Sequence, residues 1–390
     1  MHVPLKTRNM NLQKNEEPYS CVMDVPTDIP IRVDLYSDTI TRPTLAMREY
    51  MCQAEVGDEQ LGEDPTVNRL QDMVAELLGK EAALYLPSGT MCNQIAFCVH
   101  CQPGDEVIMD KTAHPLHYEG GGPTPLKGIL IRTVDGERGV YSARQVEEAL
   151  RERSRYNPRS RAISIEQTSN MGGGKCWPLE TIREVCEVAH AHGMATHMDG
   201  ARLLNAVVAT GISAKAYAAS LDSLWLDLSK GLGAPVGGVL AGSKAFIEEA
   251  WRYKQLLGGA MRQAGIIAAA GIYALEHHVE RLAEDHENAK LLAQGLAEVP
   301  GIRIRPQDVE TNIVFFDVTE TGMTTQQFID RARYEHGVRF SKMNGRVRAI
   351  THLDVTRQDI EQAIQAARTI VETPHTTMRK QDRAAFQQAY

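Results

Sequence analysis

Short apolar runs alternate with stretches of helical apolar spacing through the middle of this 390-residue chain. The runs fall at 82–86, 106–109, 129–133, 162–166, 195–198, 223–228 and 238–241. Regular alternation of strands and helices predicts an α/β protein with a mainly parallel, seven-stranded sheet covered on both faces. From about residue 265 to 296, alanine and leucine at helical spacing predict long helices. Beyond Pro300 the pattern changes to short strands and helices, such as 312–316 and 358–371, which predicts a smaller α+β domain. The charged segment 145–156 reads as a helix with a solvated face. The expected organisation is an N-terminal extension at 1–31, a large domain with an N-terminal arm at 32–280, a small domain at 281–372 and a polar tail at 373–390.

Two of the runs end on residues that can carry chemistry. The run 223–228 leads through Ser229 to Lys230 and then into Gly231-Leu232-Gly233. Burial beside a strand end disfavours an ammonium and frees a nucleophilic nitrogen, which can form a Schiff base with pyridoxal phosphate. The plain alternative is a lysine that ends a strand and reaches solvent. The run 195–198 leads to Asp199, ahead of Gly200-Ala201-Arg202. Open α/β sheets bind ligands at the C-terminal ends of strands, and a pyridoxal phosphate enzyme needs a carboxylate to keep the ring nitrogen protonated. Taken alone, Asp199 serves equally well as a helix cap or as a partner of Arg202. One strand–helix–strand unit separates Asp199 from Lys230, so neighbouring strand ends are expected. A third run, 82–86, opens through Pro87 into Ser88-Gly89-Thr90 and a helix-compatible segment. Backbone N–H groups and hydroxyls at such a helix start can cradle a phosphate, although ordinary turns share the pattern.

Further motifs accompany these, in order: Asp34-Leu35-Tyr36-Ser37-Asp38-Thr39, Gly62-Glu63-Asp64-Pro65-Thr66, Ser229-Lys230-Gly231-Leu232-Gly233-Ala234-Pro235-Val236-Gly237, Gly258-Gly259-Ala260-Met261-Arg262-Gln263 and Thr351-His352-Leu353-Asp354-Val355. With them the chain resembles the low-specificity threonine aldolases. These belong to the threonine aldolase/β-eliminating lyase group of fold-type-I pyridoxal phosphate enzymes. The resemblance implies an aspartate aminotransferase-like large domain that binds pyridoxal 5'-phosphate. It implies that Lys230 holds the cofactor, Asp199 pairs with the pyridine nitrogen, and Ser88, Gly89 and Thr90 bind the phosphate. His114 would stack over the ring, with Glu119 orienting a water nearby. Ser37, Arg202 and Arg348 match carboxylate-binding positions, a task suited to a planar guanidinium with two parallel donors. Arg202 also belongs to the cofactor-binding set. Arg262 matches a phosphate contact that can cross a dimer interface, which implies a homodimer or homotetramer with shared active sites.

The implied reaction cleaves Cα–Cβ of β-hydroxy-α-amino acids, of the L-threonine and L-allo-threonine type, to glycine and an aldehyde. Two departures bear on it. Ser169 stands where the family has a histidine near the substrate, and Leu61 stands where a tyrosine is common. A serine cannot act as a free-standing base near neutral pH, so proton removal would fall to His114, a water or another group such as His117. The same change motivates an alternative, β-elimination of a β-substituted amino acid with Lys230 as the Cα base.

Composition narrows the setting. Lys plus Arg total 42 against 50 Asp plus Glu, a net charge of −8, which argues against nucleic-acid or anionic-membrane partners. No apolar run approaches a membrane span and no secretory signal is recognisable, so a cytoplasmic enzyme is expected. Seven scattered cysteines fit reduced thiols. The lone Cys98-Val99-His100-Cys101 has no second pair, closes a helix pattern and reads as structural, so no metal site is expected.

Overall fold

The computed structural model describes residues 30–373, so nearly all of the expected extension and tail lies outside the described residues. Residues Ile31–Glu372 form one compact unit. All seven apolar runs become strands of one sheet, ordered Ala82–Leu86, Gly238–Gly242, Ser223–Asp227, Ala195–Gly200, Ser160–Glu166, Glu106–Asp110 and Leu130–Val134. Only Gly238–Gly242 runs antiparallel to its neighbours. The other pairings are parallel, as the alternation predicts. Helices on both faces bury the inner strands, so Leu224, Trp225 and Leu226 are inaccessible although consecutive.

The helices follow their local chemistry. In Pro65–Leu78, Asp64 accepts from the amides of Thr66 and Val67, proline opens the first turn and Gly79 ends the helix in the left-handed region. Its Val67, Leu70, Val74 and Leu78 share one buried face. The long helical stretch after residue 264 is two helices, Gly265–His277 and Leu282–Ala297. The helix expected at 145–156 is shorter and earlier, Ala143–Ala149. A Ser142–Gln145 capping box sets its start, and no apolar position beyond Leu150 remains to be buried. There Arg151 turns aside to Glu106, 3.0 Å away.

A smaller antiparallel sheet is ordered Ser341–Met343, Arg346–Ile350, Ile313–Phe316. Its Val314, Phe316, Val347 and Ala349 enter a second core with residues of helices Leu282–Ala297, Thr325–His336 and Arg357–Glu372. Period-two alternation therefore turns Arg348, and Phe315 opposite it, to the other face. That face meets the large sheet's ligand-binding edge, because Arg348 hydrogen-bonds Asn170 just beyond strand Ser160–Glu166.

Candidate active site

Glu166, Asp199 and Trp225 are neighbours in register on three adjacent strands, and Lys230 follows the third. Lys230 has φ 52°, a left-handed conformation uncommon for a residue with a side chain. Its carbonyl accepts from Thr41 Oγ1 at 2.8 Å. Its Nζ lies 2.5 Å from Asp227 Oδ2 and 5.6 Å from the centre of the Trp225 ring. Burial is the only influence on this amine that the apolar run by itself predicts. The structure adds an ion pair with Asp227, and the legible signal was an acid three residues earlier at the same strand end.

Asp199 is buried; Oδ1 accepts from Ala201 N at 3.0 Å and Oδ2 from Asn93 Nδ2 at 2.8 Å. The same Asn93 nitrogen lies 2.8 Å from Glu119 Oε1, which also meets His114 Nδ1 at 2.9 Å. Gln94 Nε2 donates to the other Glu119 oxygen at 2.5 Å. Glu119 is thus a buried hub behind His114. Burial opposes a charged His114, but the bond to Glu119 and the charges of Asp199, Glu119 and Glu166 prevail, and its pKa is raised. Glu166 itself is pushed up to about 7, by burial first and then by Asp199. Its oxygens accept from the amides of His114 at 2.8 Å and Asn170 at 2.7 Å. His117 is turned to the Lys111 carbonyl, 2.7 Å away, and takes no part in this group. One atom each of His114, Glu119 and Asp199 lie within 4.8 Å of one another, a spacing that can suit a metal ion. The Asn93 amide hydrogens point at both carboxylates and would repel a cation, so a hydrogen-bonded group is the better account.

Ser88 caps helix Gly89–His100, its Oγ accepting from Met91 N at 3.2 Å. Among the described residues, the amides of Gly89 and Thr90 have no partner, as expected in the first turn of a helix. A Cβ on Gly89 would come within 2.1 Å of the Trp225 ring, so the close approach demands glycine. Gly89→Ala must displace either the helix start or Trp225. It is expected to weaken retention of pyridoxal phosphate by about tenfold or more, as measured by cofactor titration. Unchanged retention would show that this helix start does not bind the phosphate.

The three expected carboxylate-binding residues differ in their commitments. Arg202 is buried and doubly bonded to Asp38, Nε to Oδ2 at 2.7 Å and Nη2 to Oδ1 at 2.6 Å. Ser37 Oγ caps a short turn and accepts from Thr39 N at 3.2 Å. Arg348 is equally buried but has no carboxylate within ion-pair distance among the described residues. It donates to Ser341 Oγ, Asn170 Oδ1 and Met343 Sδ. Burial, with the charge of Arg202 beside it, brings its pKa down to about 10. Ser169 Oγ is not brought into the group. It accepts from Gly172 N at 3.2 Å, and a Cβ on Gly139 would meet it at 2.1 Å. A longer side chain at 169 could not follow the direction this hydroxyl takes, against Gly139 and Gly172. Arg262 is exposed and paired with Asp58 at 2.7 Å, and Leu61 is 70% exposed on an adjoining turn. Cys98 and Cys101 are buried free thiols, Cys101 pushed up to about 12 chiefly by burial.

These residues fit pyridoxal phosphate. The lysine amine, the buried carboxylate and the unpartnered helix-start amides share one sheet edge, and Thr168 Oγ1 near Glu166 is buried without a partner among the described residues. Fold and site together describe an α/β enzyme scaffold whose sheet edge gathers a lysine, a buried carboxylate and a helix start. Comparison with known proteins is in accord. The β-eliminating lyase family matches residues 34–319. The low-specificity L-threonine aldolase 1 of Arabidopsis thaliana is 43% identical over 333 residues, 84% of this chain and 93% of that protein. The low specificity L-threonine aldolase of Escherichia coli (strain K12) is 42% identical over 329 residues, 84% and 96% respectively. The solved threonine aldolase of Leishmania major has a TM-score of 0.74 over 87% of this chain and 99% of that one; at 18% identity the likeness is one of fold. This chain belongs to the β-eliminating lyase family.

Proposed function

We propose that this protein is a pyridoxal phosphate-dependent aldolase that cleaves Cα–Cβ of L-threonine-type β-hydroxy-α-amino acids to glycine and an aldehyde. The observation that carries the reading is His114. Glu119 holds its Nδ1, its basicity is raised, and its Nε2 has no hydrogen bond among the described residues. A base is what retro-aldol cleavage requires at the β-hydroxyl.

When bound, the cofactor supplies the sink for the electron pair released at Cα. Lys230 Nζ is its attachment point, Asp199 its ring-nitrogen partner, and Ser88, Gly89 and Thr90 its phosphate ligands. Arg348, without a paired carboxylate among the described residues, takes the substrate carboxylate, while Arg202, fixed by Asp38, sets the charge beside it. Fixing the carboxylate turns Cα–Cβ towards the orientation in which that bond breaks. His114 Nε2 then takes the hydroxyl proton. β-Elimination would use the same residues, but its motive was the serine at position 169. That hydroxyl is committed to the Met171–Gly174 turn and favours neither reaction. Arg262 and Leu61 lie exposed on loops joined by Gln60 Nε2 and the Met261 carbonyl at 3.1 Å. In this reading they meet a second copy, and active sites are shared in a homo-oligomer.

L-Threonine incubated with cofactor-loaded protein should give glycine and acetaldehyde in equal amounts; absence of glycine overturns the proposal. The base must be neutral, so activity rises with pH through the raised pKa of His114. The acid limb of kcat/KM is therefore expected above the ordinary histidine value of 6.5. His114→Asn should remove that limb and lower kcat/KM by about 10²–10⁴-fold. A limb persisting in this variant would assign the base elsewhere.

A further inference from the structure

We infer that Asn93 is the positioning residue of this site: its single carboxamide holds Asp199 and Glu119 as one coupled unit. The inference deepens the proposed function and rests on it for the roles of those two carboxylates. Asn93 sits inside helix Gly89–His100, fully buried, two turns at most from the helix start.

Its orientation follows from its neighbours. Trp225 Nε1 can only donate, and it lies 2.8 Å from Asn93 Oδ1. His197 Nε2 lies 3.1 Å from the same oxygen. The NH₂ group therefore faces Asp199 Oδ2 and Glu119 Oε1, each 2.8 Å away. It has two hydrogens, one for each carboxylate. The oxygen end is organised just as fully. His197 donates through Nε2, so its Nδ1 accepts from Ser223 Oγ at 2.9 Å. The Ser223 oxygen in turn accepts from His100 Nε2 at 2.7 Å. Both histidines are held neutral chiefly by burial, His197 pulled down to about 3 and His100 to about 4. A neutral imidazole has one donor and one acceptor, which is what this chain of bonds needs.

The donors therefore run in one direction, from His100 through Ser223, His197 and Asn93 to the two carboxylates. A flip of the Asn93 amide would set its N–H groups against the Trp225 and His197 donors and its oxygen against two carboxylates. The arrangement serves the chemistry because one carboxylate faces the cofactor nitrogen and the other orients His114. A residue that merely filled space here would need none of these polar partners.

Two variants test this in full-length, cofactor-loaded protein, read by NMR of labelled histidines with His114 assigned from its His114→Asn spectrum. Asn93→Leu removes the positive N–H ends that face the carboxylates, leaving a more negative potential at His114. Its titration should move to higher pH by about 1 unit. The isosteric Asn93→Asp places a buried carboxyl against two carboxylates, so it is held protonated and offers one O–H where the amide has two N–H groups. It should move the titration in the same direction by less, and should the leucine variant not fold, it carries the test alone. In both, kcat should fall by about 10–100-fold, KM should change little and cofactor should be lost faster on dialysis. A folded variant whose His114 titrates as in the unaltered protein overturns the inference. The titration reads the coupling whatever products form, so it is separable from failure of the aldolase reading.

Discussion

Lys230→Ala is expected to form no detectable glycine from L-threonine, a loss of at least about 10⁴-fold, and to retain no covalently held cofactor. Among the described residues, the other amines near this edge are already paired, Lys111 after strand Glu106–Asp110 with Asp135 at 2.7 Å. Lys254 is wholly buried with Glu59 and Lys175 is paired with Glu310. Lys230 is held where it is by its left-handed backbone, by Thr41 on its carbonyl and by Asp227 on its amine. Lys230→Arg separates charge from chemistry. It keeps a cation for Asp227 but presents a guanidinium, which is not a nucleophile, and should be equally inactive. Cofactor absorbance and glycine release check both variants. Activity in Lys230→Ala above about one hundredth of the original would remove this lysine from the mechanism.

The second large effect is one of stability. Asp38→Ala leaves the Arg202 guanidinium buried without its partner and should cost about 3–5 kcal/mol, measured by urea unfolding at fixed cofactor concentration. It also removes one of the two acceptors of Asn312 Nδ2, the other being the Thr351 carbonyl. Burial opposes the charge of Asp38, but the Arg202 guanidinium prevails and holds its carboxyl well below the usual 3.8. A depressed folded pKa makes this stabilisation complete above about pH 4 and progressively lost as pH falls below it. The variant should therefore lose less stability than the unaltered protein between about pH 4 and pH 2. Equal acid sensitivity in the two proteins would show that the pair contributes little.

The large sheet was legible because each apolar run had only one way to be buried on both faces. Of the small sheet, the strand at 313–316 was legible within the expected 312–316 segment, whereas strands 341–343 and 346–350 were not, since the face carrying Phe315 and Arg348 is not solvent-exposed and does not alternate cleanly. Lys230, Asp199 and Ser88-Gly89-Thr90 were visible because strand ends and helix starts punctuate the sequence. His114, Arg348 and Arg262 came from resemblance; nothing in their own spacing marks them. Asn93, Asp38 and Asp227 were missed as site residues. Asn93 lies among apolar helix residues, and three of its four partners come from strands more than 100 residues away, so only the fold brings them together. The direction of the Ser169 side chain depends likewise on Gly139, thirty residues earlier in a separate turn.

The most direct test of the account is a mass balance. Cofactor-loaded protein is given L-threonine, L-allo-threonine and β-substituted amino acids with better leaving groups, and glycine plus aldehyde is quantified against ammonia plus 2-oxo acid. The account predicts stoichiometric glycine and aldehyde from the β-hydroxy substrates, with the yield collapsing in His114→Asn. Ammonia and 2-oxo acid as the main products, unaffected by His114→Asn, would contradict it.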